Sequence, residues 1–188
     1  ITVKEDYYER EFRRAVESPS YQNTFRRLLL NQWTEQVTRW LDMDKWHLNN
    51  GYVDVNSLNG KTCYAGMDLS TTTDLTSVVL AFPLEDDSFA LLPKFWIPED
   101  NLHRLMDRDK VPYDAWVRDG YVATTPGPVI NYNYVREYIR NCAEQFELKE
   151  IAYDRWNATQ LVTDLDDDGF TLIPFGQGFM SMSPAAKS

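Results

Sequence analysis

The chain has 188 residues, 43% of them hydrophobic and 14% aromatic, so it can build one domain with a real core, alone or with an appendage. Its 29 acidic and 19 basic residues give a formal charge of -10, which argues against broad nonspecific attraction to nucleic acid. A nuclease is not excluded, because its active site must itself concentrate carboxylates. No apolar run approaches the roughly 20 residues of a membrane span, and the start lacks a secretion signal, so no membrane association is expected.

Residues 1–58 are predicted to form a helical segment ahead of the main domain. Apolar side chains recur at three- and four-residue spacing from Tyr7 to Val16, and the Ser-Pro-Ser sequence at 18–20 is typical of a helix end. A second helix is predicted from about Pro19 to Leu30. A third, short helix is predicted around Glu35 to Leu41.

The next stretch, 61–82, is predicted to be a β-hairpin. Residues alternate in character from Thr62 to Leu69, a Ser/Thr-rich turn follows, and Leu75 to Phe82 reads as a strand buried on both faces. Asp68 therefore ends the first strand, and Asp74 precedes the second. A carboxylate at the mouth of an apolar strand is costly unless it is paired, hydrogen-bonded or bound to metal. From the hairpin alone, turn capping and a metal or phosphate site remain equally open.

The remaining elements follow in alternation. A third antiparallel strand is predicted at 89–97, two short helices within 101–120 and an edge strand at 121–125. An amphipathic helix is predicted at 131–146, then a strand at 148–154, a helix at 157–165 and a strand at 170–175. The tail from Gly176 carries no predicted element. Cys63 and Cys142 fall inside predicted elements, where buried free thiols are usual, which favours a reducing cytosol.

An acid at the end of another apolar strand makes a metal site the favoured interpretation of the hairpin. Asp154 ends a short apolar strand far downstream, and acids at the ends of two strands can meet at one edge of a sheet. Carboxylate oxygens gathered in this way suit hard cations such as Mg²⁺. Three antiparallel strands followed by helix, strand, helix and strand is the order of the ribonuclease-H-like fold. That order predicts an α/β mixed sheet with Asp68 and Asp154 on adjacent strands.

Several short sequences resemble the large terminase subunit of tailed bacteriophages. Gly66–Ser70 with Asp74–Thr76 is similar to the first nuclease motif of that family, and Ala152–Asn157 resembles its second acidic motif. The start of the chain resembles the family's linker at 18–20, 23–27 and 30–33. The segment before the long helix resembles the family's insertion at 113–116, Gly120 and 125–127. The resemblance covers essentially the whole chain. It implies a helical linker segment at 1–58 and a ribonuclease-H-like nuclease domain at 59–188 that is incomplete at its C-terminus.

The resemblance implies an endonuclease that cuts concatemeric double-stranded viral DNA during packaging, by a two-metal mechanism with Mg²⁺ or Mn²⁺. Asp68 would bridge both ions, Asp154 would bind one, and Asp74 would be an auxiliary ligand or support another ligand. The implied partners are the viral DNA, the small terminase subunit and the portal protein, in the host cell cytoplasm. The sequence contains no Walker A pattern, and none of its acids matches the family's third, C-terminal one.

Two other functions are compatible with parts of the sequence. Actin and sugar-kinase ATPases also open with a Gly-x-Asp strand and a Ser/Thr-rich hairpin, but Arg155 and Trp156 after Asp154 are too bulky for close phosphate approach. A noncatalytic docking module of the packaging machine is the second alternative, and the missing third acid keeps it open. ATP affinity would favour the first, and metal affinity without cleavage the second.

Overall fold

A computed structural model describes residues 4–33, 43–72, 74–154, 159–176, 178 and 181–183. The chain divides into two compact units, Ile1–Tyr52 and Val53–Ser188. A short 3₁₀-helix, Val55–Leu58, opens the second unit, and its Leu58 is buried in the core there. Within the described residues, no helix has the length and apolar character needed to cross a membrane.

The described elements of the first unit are helices, and the first two lie where they were predicted. Its helices are α1 (Glu5–Glu17), α2 (Pro19–Leu29) and α3 (Met43–Leu48). Ser18 separates the first two with extended backbone, and Pro19 starts α2, a position where its missing N–H costs nothing. The helix predicted around Glu35 to Leu41 lies outside the described residues. Between α1 and α2, the hydroxyl of Tyr21 donates a 2.7 Å hydrogen bond to buried Glu11.

The second unit is built on one six-stranded mixed sheet, which confirms the predicted fold class. Its strands are β1 (Thr62–Asp68), β2 (Thr76–Pro83), β3 (Phe89–Pro98), β4 (Val122–Thr125), β5 (Glu147–Tyr153) and β6 (Leu172–Pro174). Their order is β4-β3-β2-β1-β5-β6. The β1–β2 and β2–β3 pairs are antiparallel, and the other three pairs are parallel. The adjacency of β1 and β5, which the predicted strand order required, is thereby confirmed.

Among the described residues, four α-helices connect these strands, close to the predicted places. They are α4 (Leu102–Asp109), α5 (Tyr113–Arg118), α6 (Tyr132–Gln145) and α7 (Thr159–Asp167). A 3₁₀-helix, Glu99–Asn101, precedes α4. The tail, for which no element was predicted, contains a helical turn at 181–183.

One face of the sheet carries the main core. Cys63, Ala65 and Met67 of β1 are buried there with α6 and α7, while the intervening Tyr64, Gly66 and Asp68 face the other way and are exposed. On that opposite face, Tyr64, Leu91 and Ile173 are 44%, 54% and 40% exposed. We call the uncovered part of this face the open face. Asp68 belongs to it because side chains alternate along a strand. Toward β4 the same face is covered by α4 and α5, which pack on buried Ile97 and Val122.

The prediction that β2 is buried on both faces is wrong. Thr76, Val78, Leu80 and Phe82 are fully buried, whereas the alternate residues from Ser77 to Ala81 are only half-buried on the open face. A run of apolar residues shows that a strand is buried, but not how completely each face is covered.

An ion-pair cluster joins α6 to the end of α7. Arg136 donates to both carboxylate oxygens of Asp168, each at 2.7 Å, and Arg140 donates to the same two oxygens. The paired guanidinium groups hold the pKa of Asp168 well below its usual range. Asp168 directly follows α7, so the cluster fixes the end of α7 against α6.

Prolines mark the borders of the sheet. Edge strand β4 has four residues and is followed by Pro126, and edge strand β6 has three and ends in Pro174. The first half of β3, 89–94, extends beyond β4 and contains Pro93.

Candidate active site

Two of the three predicted site residues come together at the carboxyl ends of two parallel strands. The last register pair of β1 and β5 is Met67 with Tyr153, so Asp68 and Asp154 are the next residues of each strand path. Their backbones leave the sheet side by side. Asp68 is exposed, and Asp154 is half-buried. Strand-end acids 86 positions apart in sequence are therefore neighbours in the fold, as predicted.

Both acids line one cleft on the open face. Its volume is about 290 Å³, and its lining residues are Gly66, Met67, Asp68, Ser77, Val79, Ala152, Tyr153, Asp154, Phe175 and Met182. A Cβ added to Gly66 would meet nothing within 4 Å, so the absence of a side chain there keeps the floor of the cleft empty. The carboxylates thus stand at the rim of an otherwise largely apolar depression.

Ser77, Phe175 and Met182 were missed from the sequence as residues of the site. Ser77 is the register partner of Asp68, so counting back from the centre of the hairpin would have identified it. Phe175 and Met182 come from the segment after β6, and no local pattern connects them with β1.

Asp74, the third predicted residue, is engaged elsewhere. Its carboxylate accepts a 3.3 Å hydrogen bond from Arg108 of α4, and its side chain is 74% exposed. Arg108 also donates to both carboxylate oxygens of Asp109, and Oδ2 of Asp109 accepts in addition from the Tyr113 hydroxyl at 3.2 Å. These donors hold the pKa of Asp109 below its usual range. Asp74 therefore connects the hairpin turn with α4, outside the lining of the cleft.

The turn after Asp68 is closed by hydroxyl groups. Oγ1 of Thr76, a fully buried residue, accepts from the Ser70 amide at 3.0 Å and donates to the Ser70 carbonyl at 2.9 Å. The amide of Asp74 donates to Oγ of Ser70 at 3.0 Å. Serine and threonine commonly stabilise turns in this way. The hydroxyl groups of Ser70 and Thr76 therefore supply hydrogen bonds that close this turn.

The donors present suit a hard divalent cation but form a small set. Two carboxylates stand at one rim, with the hydroxyl-bearing Ser77 paired to Asp68. Oxygen ligands of this kind are those that Mg²⁺ prefers. Across the part of the chain that the structure describes, no group of three Asp, Glu, His or Cys residues could hold a metal ion. Asp68 and Asp154 can therefore serve as ligands, and a full coordination shell requires further oxygens.

Comparison with known proteins adds an independent line of observation. The family model described as "Terminase large subunit, endonuclease domain" matches residues 3–188. The chain is 38% identical over 181 residues to the terminase large subunit of Enterobacteria phage HK97, which covers 95% of this chain and 35% of that protein. It is 22% identical to Protein YmfN of Escherichia coli K12, over 100% of this chain and 43% of that one.

A solved structure shows the same architecture. The crystal structure of the HK97 bacteriophage large terminase superposes with a TM-score of 0.69 at 36% identity, over 98% of this chain and 38% of that one. The chain thus spans less than half the length of the relatives it matches.

Proposed function

Because the chain belongs to the endonuclease-domain family of terminase large subunits, we propose that it hydrolyses phosphodiester bonds of double-stranded DNA with divalent metal ions. The observation that carries the proposal is the placement of Asp68 and Asp154 at adjacent strand ends on one cleft. Family membership implies a nuclease, and this geometry supports Asp68 and Asp154 as its proposed ligands.

In this proposal, Asp68 is the shared ligand of two cations, and Asp154 binds one of them. Mg²⁺ or Mn²⁺, when bound, would supply water activation and charge neutralisation at the scissile phosphate. Asp68, at the exposed end of β1, has access to an ion and to DNA outside the sheet. Asp154, directly after β5, is half-buried. Asp74, bound to Arg108, acts as a support of the turn or an auxiliary ligand.

The proposed substrate is concatemeric viral DNA, cut while it is packaged in the host cytoplasm. The small terminase subunit and the portal protein are the proposed partners. A chain with a formal charge of -10 attracts DNA only weakly at long range, which supports a role for partner proteins in bringing DNA to it. Delivery of DNA to the cleft would then depend on the rest of the packaging machine.

Thermal unfolding with and without Mn²⁺ tests the site directly. A cation that binds only the native state stabilises it by about 2.7 kcal/mol at a hundredfold excess over its dissociation constant. We expect this stabilisation in the wild type and in Glu85→Gln, a control in the exposed β2–β3 turn. We expect it to be lost in Asp68→Asn and strongly reduced in Asp154→Asn. Equal responses of wild type and Asp68→Asn would contradict the proposal.

A further inference from the structure

The backbone that follows Asp68 is held from outside the hairpin to an unusual degree. Three consecutive carbonyl oxygens of the turn, those of Ser70, Thr71 and Thr72, each accept a hydrogen bond from a residue between 101 and 132. We propose that two of these donors, Tyr132 and Asn101, are positioning residues that fix the direction of the Asp68 carboxylate. This inference rests on the proposed function, because it concerns the metal ligand of the same site.

Tyr132 acts on the carbonyl nearest to Asp68. Its hydroxyl donates to the Ser70 oxygen at 3.2 Å, and the same oxygen accepts from Thr76 at 2.9 Å. Both lone pairs of that carbonyl are therefore used. Burial raises the pKa of Tyr132, so its hydroxyl remains a donor. Its ring packs against the main core at the start of α6, which makes the hydroxyl a fixed point of the scaffold.

Asn101 joins the turn to a second loop. Its side-chain Nδ2 donates to the Thr72 carbonyl at 3.2 Å and to the Pro128 carbonyl at 2.6 Å. Beside it, the Ile130 amide donates to the Thr71 carbonyl at 2.9 Å. The turn is thereby tied to the loop at 126–131, which leads directly into α6. The segment between β3 and α6 therefore holds the turn of the β1–β2 hairpin in place.

A surface turn of this length is ordinarily among the more mobile parts of a fold. Such mobility would spread the position of Asp68, two residues before Ser70, and a site that holds cations needs its ligands fixed to about 0.5 Å. Groups that orient a ligand from behind typically change metal affinity by about 10- to 100-fold when removed. Tyr132 and Asn101 act through the backbone, so we expect the lower end of this range.

The test measures Mn²⁺ affinity by calorimetry, well below the melting temperature of the metal-free 188-residue protein. Tyr132→Phe keeps the ring and removes only the hydroxyl, and Asn101→Ala removes both amide donations. Each should weaken Mn²⁺ binding by about tenfold, with the melting temperature of the metal-free protein close to that of the wild type. Tyr134→Phe, an exposed tyrosine on the same helix, is the matched control and should bind as the wild type does.

Cleavage provides a second readout that a purely structural role would not produce. In a longer chain that cuts plasmid, any cutting defect of Tyr132→Phe should be relieved at high Mn²⁺, with KM for DNA unchanged. Wild-type Mn²⁺ affinity in both Tyr132→Phe and Asn101→Ala would overturn the inference, whatever happens to their melting temperatures. Asp68→Asn distinguishes a failure of this inference from a failure of the proposed function. If that variant also binds Mn²⁺ with wild-type affinity, the proposed metal site itself is wrong.

Discussion

Oδ1 of Asp74 lies 3.3 Å from Nη2 of Arg108, whereas Asp68, at the other end of the same turn, lines the cleft together with Asp154. The two acids of the hairpin are thus directed to different partners. Exposed ion pairs contribute little to stability. We therefore expect the Asp74–Arg108 pair to affect the geometry of the turn more than the free energy of unfolding.

The first prediction compares the two acids. Asp74→Asn should retain most of the Mn²⁺-induced stabilisation, because its carboxylate lies outside the cleft lining, while Asp68→Asn should lose it. Thermal melts with increasing Mn²⁺ measure both. Arg108→Gln should resemble Asp74→Asn, because it breaks the same contact from the other side. A complete loss of the response in Asp74→Asn would make Asp74 a direct ligand.

A second prediction concerns the empty floor of the cleft. Gly66→Phe should fold and bind Mn²⁺, since nothing lies within 4 Å of the added Cβ, but it should cleave DNA poorly because its ring occupies the cleft beneath the phosphate. Gly51→Phe, at a glycine with equally open surroundings outside the cleft, is the control. Circular dichroism, and plasmid nicking in a longer chain that cuts DNA, together measure the result. Wild-type nicking by Gly66→Phe would place DNA elsewhere.

The third prediction concerns cleavage by the 188-residue chain. Two carboxylates bind a single cation far better than they bind a pair of cations. Among the described residues, no third acid, histidine or cysteine completes a cluster with them. Supercoiled plasmid should therefore be nicked slowly or not at all, even with Mn²⁺. A longer chain that supplies the third, C-terminal acid implied by the family resemblance should cut faster, and Asp68→Ala should abolish that cutting. Equally fast, Asp68-dependent cutting by the shorter chain would contradict the ligand count.

The fourth prediction is a pH dependence of stability from the Asp168 cluster. The two arginines depress the folded-state pKa of Asp168, so its contribution is complete above the unfolded value of about 3.9 and is lost as pH falls below it. Asp168→Asn should lower the melting temperature by several degrees at pH 7, because Arg136 and Arg140 then face each other without their shared anion. The difference from wild type should narrow below pH 3.9. Asp166→Asn, an exposed neighbour, should show no such pattern.

The last prediction probes the core beneath the site. Phe82 is fully buried and meets Phe146 edge-to-face, with ring centroids 4.9 Å apart. Phe82→Ala should lower the free energy of unfolding by about 3–5 kcal/mol, through lost burial and the cavity it leaves. Urea unfolding measures this, with Phe89→Ala, at a position 62% exposed, as the control. Similar midpoints for the two variants would contradict the assignment of the core.

The elements that local patterns specify were predictable. Alternation through β1, the turn residues after it and the periodicity of α6 each depend on neighbours a few positions away. Strand order followed from the sequence of elements, because it matched a known topology. The neighbourhood of Asp68 and Asp154 followed in turn from that order.

Contacts across long sequence separations were not predictable. Arg108 is 34 residues from Asp74, and Tyr132 is 62 residues from Ser70, so no periodicity relates them. The same holds for Phe175 and Met182 in the cleft lining. Such pairs arise from the way the insertion and the tail return to the sheet, which depends on tertiary packing.

The prolines at the borders of the sheet bear on how this protein behaves in concentrated solution. An edge strand with free N–H and C=O groups is a template for another chain, and fibril growth depends on that template. Here one edge strand has three residues and ends in Pro174, the other has four and stops before Pro126, and the protruding half of β3 contains Pro93, which has no N–H. Strand addition is therefore disfavoured at both edges. Any self-association is expected through the exposed apolar side chains of the open face, such as Tyr64, Leu91 and Ile173, rather than through edge-to-edge strand pairing.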